Sequence, residues 1–330
     1  MAKRGVKILE YVLMAALAVV FLYLALRGID WKVFVENLYT VGWGFVLLSA
    51  LASLFAIGLR VERWRELLLP LDPSIRRVAV WDASNMGNLS YLVVPGSGEF
   101  VRCAGVTTSK ASYDKVLGTT VMERAWDLLM AIAVILLALA LKHDDITGFL
   151  RDSVLRPAAG RITPLTIVLI VLFLILLAAF FVLTFKLKDS NKFFGKIAGW
   201  TRGILDGFKV FGKVRHKTGF VLSSIVIWFF YVAMCQCVFW AIPEMSYLTF
   251  ADALFISAVG NLATVVPVPG GIGAYHYIVA LALSQIYGFS WEQGILFATL
   301  THESRTLLIA VLGAESGISI SLRKKRNLAA

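Results

Sequence analysis

Charge is scarce in this chain, and cysteine is scarcer. Only 16% of the 330 residues are Asp, Glu, Lys or Arg, where a soluble domain carries about 25%. That shortage argues against a pair of soluble domains, which length alone would suggest. Three cysteines, Cys103, Cys235 and Cys237, show no metal spacing, and two sit inside an apolar run, so neither a disulfide framework nor a zinc site is expected. The four histidines, His143, His216, His276 and His302, are scattered. There is no nucleotide-binding loop, no Gly-x-Ser-x-Gly elbow and no His-Glu-x-x-His pair. His302-Glu303 is a fragment without its second histidine. No cofactor and no metal are therefore expected.

What is present is apolar length. Hydrophobic residues make up 59% of the chain, and Pro164 to Phe185 carries no charge. About 20 such residues cross a bilayer as a helix. Spans are expected near 8–26, 43–60, 116–141, 164–186, 218–241 and 291–314. Segment 8–26 is too long for a signal peptide core and lacks a small-residue cleavage site, which makes it a retained span. The fold class is thus an all-α polytopic membrane protein of about six full spans, one integral membrane domain over 1–330.

The net charge of +11 does not point to nucleic acid, because the basic residues lie in short stretches between apolar segments. Lys3, Arg4 and Lys7 open the chain. Arg60, Arg63, Arg65, Arg76 and Arg77 follow the second span, nine Lys or Arg occupy 186–217, and Arg323 to Arg326 close it. The intervening loops 27–42, 142–163 and 242–250 are poorer. Cytoplasmic loops collect Lys and Arg, so both termini, 60–77 and 186–217 are expected on the cytoplasmic side of the cell membrane. Segments 61–72 and 192–213 look amphipathic, and each is either a helix lying in the interface or a loop helix packed on the spans.

Two further segments, 78–112 and 251–289, are apolar but broken by Pro and Gly. The first reads Gly87-Asn88-Leu89, then Val93-Val94-Pro95-Gly96-Ser97-Gly98-Glu99-Phe100-Val101-Arg102. The second reads Gly260-Asn261-Leu262, then Val265-Val266-Pro267-Val268-Pro269-Gly270-Gly271-Ile272-Gly273-Ala274-Tyr275-His276. Proline lacks a donor and glycine tolerates unusual dihedrals, so each segment should turn there as a broken, re-entrant helical hairpin. Charge parity allows a re-entrant hairpin or a pair of spans. A charged span follows each: Glu123-Arg124-Ala125-Trp126-Asp127 after the first, His302-Glu303-Ser304-Arg305 after the second. The unit of span, broken segment and charged span recurs with opposite direction, approximately over 43–141 and 218–314. This pattern predicts an inverted-topology repeat, as in many transporters; the bland alternative is chance likeness of two Pro-Gly turns.

Ionisable groups inside a membrane cost at least about 2.5 kcal/mol each and therefore pair or face a cavity. One reading is a set of ion pairs that lock the spans. The other is a headgroup site in which Arg102, Arg124, His276 and Arg305 hold phosphate with the backbone of Gly96, Gly98, Gly270, Gly271 and Gly273. Glu99, Glu123, Asp127, His302 and Glu303 would then orient the cations or carry protons. On that reading, Arg102→Gln and Arg305→Gln abolish transport and spare stability. Trp81, Asp82 and Asn85 are helix-interface candidates.

At these residues the chain resembles the lysylphosphatidylglycerol synthase transmembrane-region family. That family includes the lipid-flipping membrane half of bacterial multiple-peptide-resistance factors, small stand-alone membrane proteins, and the membrane part of an archaeal dolichol-phosphate glycosyltransferase. The carriers are Pro95-Gly96-Ser97-Gly98-Glu99-Phe100-Val101-Arg102, the Glu123-Arg124-x-x-Asp127 set and Pro267-x-Pro269-Gly270-Gly271-Ile272-Gly273, and the likeness covers nearly the whole chain. Tyr275 and His276 stand where the family usually places Arg-Glu, which questions any mechanism needing a carboxylate there. No soluble aminoacyl-transferring domain like that of the two-part relatives is expected. The resemblance thus implies a flippase or transporter for an anionic lipid, either a phospholipid or a polyprenyl-phosphate-linked carrier. Its rivals are a membrane-embedded enzyme on lipid-linked sugars and an accessory subunit for a separate glycosyltransferase or lipid-modifying enzyme. The oligomeric state stays open.

Overall fold

The structure, a computed structural model, describes residues 2–142, 212, 214, 216–263 and 266–329. Among these the chain forms ten α-helices and no strand, an all-α polytopic membrane fold. The helices are α1 (Ala2–Leu26), α2 (Trp31–Tyr39), α3 (Trp43–Leu68), α4 (Arg77–Val93), α5 (Ser97–Gly105), α6 (Tyr113–Leu141), α7 (Lys217–Ala241), α8 (Phe250–Ala263), α9 (Ala274–Tyr287) and α10 (Trp291–Ala329). Helices α3, α6, α7 and α10 are each long and apolar enough to cross a membrane. Leu13–Leu26 and Trp31–Tyr39 meet the same standard together, bent by 79°. The expected span 164–186 lies outside the described residues, as does 192–213 but for Gly212.

The second span is longer than its apolar run. Helix α3 continues past residue 60 to Leu68 because Val61, Trp64, Leu67 and Leu68 recur at helical spacing, and all four are buried. Of the two readings left open for 61–72, the structure is nearer the packed one, although its first two turns are the end of a span and not a separate loop helix. Helix α3 runs antiparallel to α7. Ser49 donates to the Met234 carbonyl (3.1 Å) at one level and Arg63 to Ser224 Oγ (3.1 Å) at another.

Both broken segments are hairpins that return to the side they start from. In the first, α4 and α5 pack so closely that a Cβ on Gly87 would sit 2.7 Å from the Gly98 carbonyl oxygen. Only glycine allows that approach. The turn is Pro95-Gly96, with Gly96 at φ 74°. Thr108 donates to Asp72 (2.8 Å), tying the hairpin's exit to its entry loop. In the second, α8 and α9 meet where Gly260 lies under the Tyr275 ring. Its turn holds Gly270, Gly271 and Gly273, all at positive φ.

The hairpins enter from opposite ends of the bundle. Helix α4 starts beside the end of α3 and the far end of α10, where Arg323 pairs with Asp82 and Asn85 donates to Ser316 (3.3 Å). Helix α8 starts beside the end of α6, where Lys142 meets Asp252 at 2.5 Å. The two turns meet inside: Gly270 lies against Leu92. Helix α1 covers the second turn, with the backbone of Phe21 and Leu22 pressed against Gly273.

Candidate functional site

Three helices deliver charge to the level of the first turn. Glu123 of α6 is wholly buried. Arg63 approaches its Oε1 at 3.1 Å and Arg60 at 3.7 Å, both from α3. Arg102 of α5 lies 2.6 Å from its Oε2, close as an ion contact though not aligned as a hydrogen bond. Arg63 also donates to Asp127 at 2.5 Å, and Arg60 to the same carboxylate at 3.4 Å. Glu99, in the first turn of α5 where a negative charge suits the helix dipole, accepts from Arg102 at 2.6 Å and pairs with Arg124. The Arg102 guanidinium lies over the Trp64 ring, 4.5 Å from its centroid, a favourable cation–π contact.

A second group lies at the other turn. His302 of α10 reaches the Gly270 carbonyl oxygen with Nε2 (2.9 Å) and Glu303 Oε1 with Nδ1 (2.8 Å). His276 of α9 places Nε2 3.7 Å from the same Glu303 oxygen, and its buried Nδ1 has no partner. His276, His302 and Glu303 bring metal-type donor atoms within 4.8 Å of one another. Nε2 of His302 faces a carbonyl, which leaves Nδ1, beside the Glu303 carboxylate, as the ring nitrogen that a proton or a cation would share with it.

Arg305 links the two groups. It lies one turn beyond His302 and its guanidinium sits over the Tyr231 ring at 5.4 Å. The Tyr231 hydroxyl accepts from Arg60 at 3.3 Å. The Tyr91 hydroxyl at the end of α4 lies within electrostatic range of Arg305 and Arg124. Among the described residues Arg305 makes no ion pair. A groove of ≈ 440 Å³ among Gly58, Glu62, Arg77, Trp81, Asp82 and Glu315 lies at the entry end of the first hairpin and excludes this arginine cluster.

The expected residues thus fall in three places. Arg102, Glu99, Glu123, Arg124 and Asp127 come together; His276, His302 and Glu303 form a separate group; Arg305 stands between. Gly96 and Gly98 shape the first turn and Gly270 to Gly273 the second, where α1, Leu92 and His302 already crowd the backbone. Arg60, Arg63, Tyr91 and Tyr231 join the site without having been expected there. Arg60 and Arg63 read as loop charges because they follow an apolar run; the clue was the helical spacing that continues to Leu68.

The family described as the lysylphosphatidylglycerol synthase TM region matches residues 11–313. No curated protein and no solved structure matches the chain.

Proposed function

Because this chain belongs to the lysylphosphatidylglycerol synthase transmembrane-region family, we propose that it binds the phosphate of an anionic membrane lipid between its two hairpins and moves that lipid across the membrane. The supporting observation is a charge imbalance. Among the described residues Arg60, Arg63, Arg102 and Arg124 share Glu99, Glu123 and Asp127, and Arg305 beside them makes no ion pair. Excess cation in an apolar bundle is costly without an anion. Arg102 and Arg63 are spent on buried carboxylates and hold the site's shape. Arg124, half-exposed, and Arg305 are the cations available to a headgroup. Tyr231 accepts from Arg60 and keeps its own O–H to donate to a phosphate oxygen. A guanidinium presents a planar fork that fits phosphate, which lysine does not. The two hairpins, entering from opposite ends, are the elements that would open the site to each leaflet in turn. The basic ends of α3 and α10 favour the cytoplasmic side for that end of the bundle.

The test is translocation of phosphatidylglycerol in vesicles containing the purified protein. Arg305→Gln should reduce it at least about tenfold while the thermal midpoint stays near the parent's, and Arg305→Lys should recover little. Parental transport by both variants would show that Arg305 does not hold a headgroup.

A further inference from the structure

Both ring nitrogens of His302 face acceptors. The Gly270 carbonyl oxygen can only accept, and so can an ionised Glu303 carboxylate. Neutral imidazole carries one N–H. The contacts at 2.9 Å and 2.8 Å therefore call for one proton more than a neutral ring beside a carboxylate supplies. Thr306 Oγ1, 3.4 Å from Nδ1, does not remove the need, because a bare Nδ1 would still point its lone pair at Glu303 Oε1.

We propose that His302 and Glu303 together bind one proton, and that this proton latches the turn of the second hairpin onto α10. The proton resides on the ring, as imidazolium against carboxylate, or on Glu303, as a carboxylic acid donating to Nδ1. Either placement satisfies both contacts with the same proton count. Loss of the proton does not. The remaining N–H then serves one acceptor, and the carboxylate is the stronger because its charge assists the bond. Nε2 turns bare toward Gly270, lone pair against lone pair, and the turn is released. Gly270 and Gly271, at φ 59° and 80°, can take up the backbone change that follows.

The surroundings keep the pair local. From α9, His276 faces the same Glu303 oxygen at 3.7 Å, with its ring 5.1 Å from that of His302, and the Tyr275 ring lies at 5.2 Å. Arg305 is the nearby cation on α10, over the Tyr231 ring of α7 and within electrostatic range of Tyr91 of α4. Helix α1 brings Phe21 and Leu22 to the turn, and α4 brings Leu92, none of them titratable. The latch goes beyond the lipid reading, and its test uses no lipid transport. A divalent cation at His276, His302 and Glu303 is the competing occupant: it would replace the proton between Nδ1 and Glu303 while Nε2–H stays on the Gly270 oxygen.

Hydrogen exchange at the amides of Gly271 and Ile272, which close the turn onto Val268 and Pro269, reads the latch in the full chain. Exchange would be followed from about pH 5 to about pH 9, bracketing ordinary histidine titration, and corrected for the chemical rate. The parent should pass from protected to exposed with rising pH, by about tenfold or more. Glu303→Gln should stay protected throughout, because its amide donates to Nδ1 while the neutral ring donates from Nε2. A flat profile in the parent would overturn the proposal. So would a Glu303→Gln profile that tracks the parent, or a stoichiometric divalent metal in the purified protein. Loss of lipid transport with the pH profile intact would strike the transport reading and leave the latch standing.

Discussion

The two hairpins solve the same problem differently. Each must end one helix and begin another inside an apolar bundle, where freed backbone groups need partners. The first does so with charge: Glu99 and Arg102, just past the Pro95-Gly96 turn, are tied to Glu123 and Arg124 of α6. The second has no arginine of its own near the turn. Its three glycines are covered by α1, by Leu92 and by one histidine bond from α10. A turn fixed by several ion pairs is a rigid wall; one whose sole polar side-chain tie among the described residues is titratable can move. The difference assigns the shaping of the site to the first hairpin and the moving part to the second.

That division breaks most visibly at Glu123. Among the described residues it is the one wholly buried carboxylate of the arginine cluster, and three arginines converge on it. Glu123→Gln leaves Arg60, Arg63 and Arg102 to share Asp127 and Glu99 alone, a loss of up to about 3–5 kcal/mol. The thermal midpoint in detergent should fall steeply, whereas Glu303→Gln should leave it close to the parent's. Similar falls in both would end the distinction between a rigid and a movable hairpin. Arg102→Gln belongs with Glu123. It was expected from sequence to spare stability, but Arg102 is buried against two carboxylates and Trp64, so its removal should destabilise as well.

Backbone approach gives the next effect. Gly87→Ala would force apart α4 and α5, whose backbones meet there, at about 1–3 kcal/mol. Gly96→Ala meets open space but must hold φ 74°, at about 1–2 kcal/mol. A denaturation series on both variants separates crowding from dihedral strain. No loss at Gly87 would mean that the hairpin can splay.

The hairpins were legible in the sequence because proline and glycine act locally: Pro95-Gly96 and Pro269-Gly270-Gly271 each stop a helix whatever surrounds them. The interface roles of Trp81, Asp82 and Asn85 were legible too, since polar groups in an apolar helix need partners, and they find Glu315, Arg323 and Ser316 on α10. Arg60 and Arg63 were hidden because counting basic residues by loop cannot tell a charge facing water from one turned into the bundle. The separation of His276 from Arg102 was hidden for a related reason. Position relative to a turn says which end of a helix a residue occupies, not which neighbour the other hairpin brings to it.

The smallest expected effect lies where each hairpin leaves the bundle. Asp72, in the loop between α3 and α4, accepts from Ser74 through both its backbone and its hydroxyl, and from Thr108 beyond the end of α5. The Ser74 bonds foremost, with Thr108, hold its carboxyl below the ordinary carboxylate range. A lowered folded value means that the carboxylate form favours the folded state. The contribution is complete above the unfolded value of about 3.9 and fades as pH falls through the lower folded value. Asp72→Asn cannot ionise and should be slightly less stable than the parent at about pH 7, with the gap closing below about pH 4. Thermal unfolding at several pH values measures that gap. The second hairpin offers the control, because its entry is tied by Lys142 to Asp252 rather than by Asp72. The Asp72 substitution should therefore leave exchange at Gly271 and Ile272 unchanged. A pH-independent gap would mean that the loop is held by its neutral contacts. A change in exchange at the second turn would mean that the two hairpins are mechanically coupled through their touching tips, and the division between a fixed and a moving hairpin would have to be abandoned.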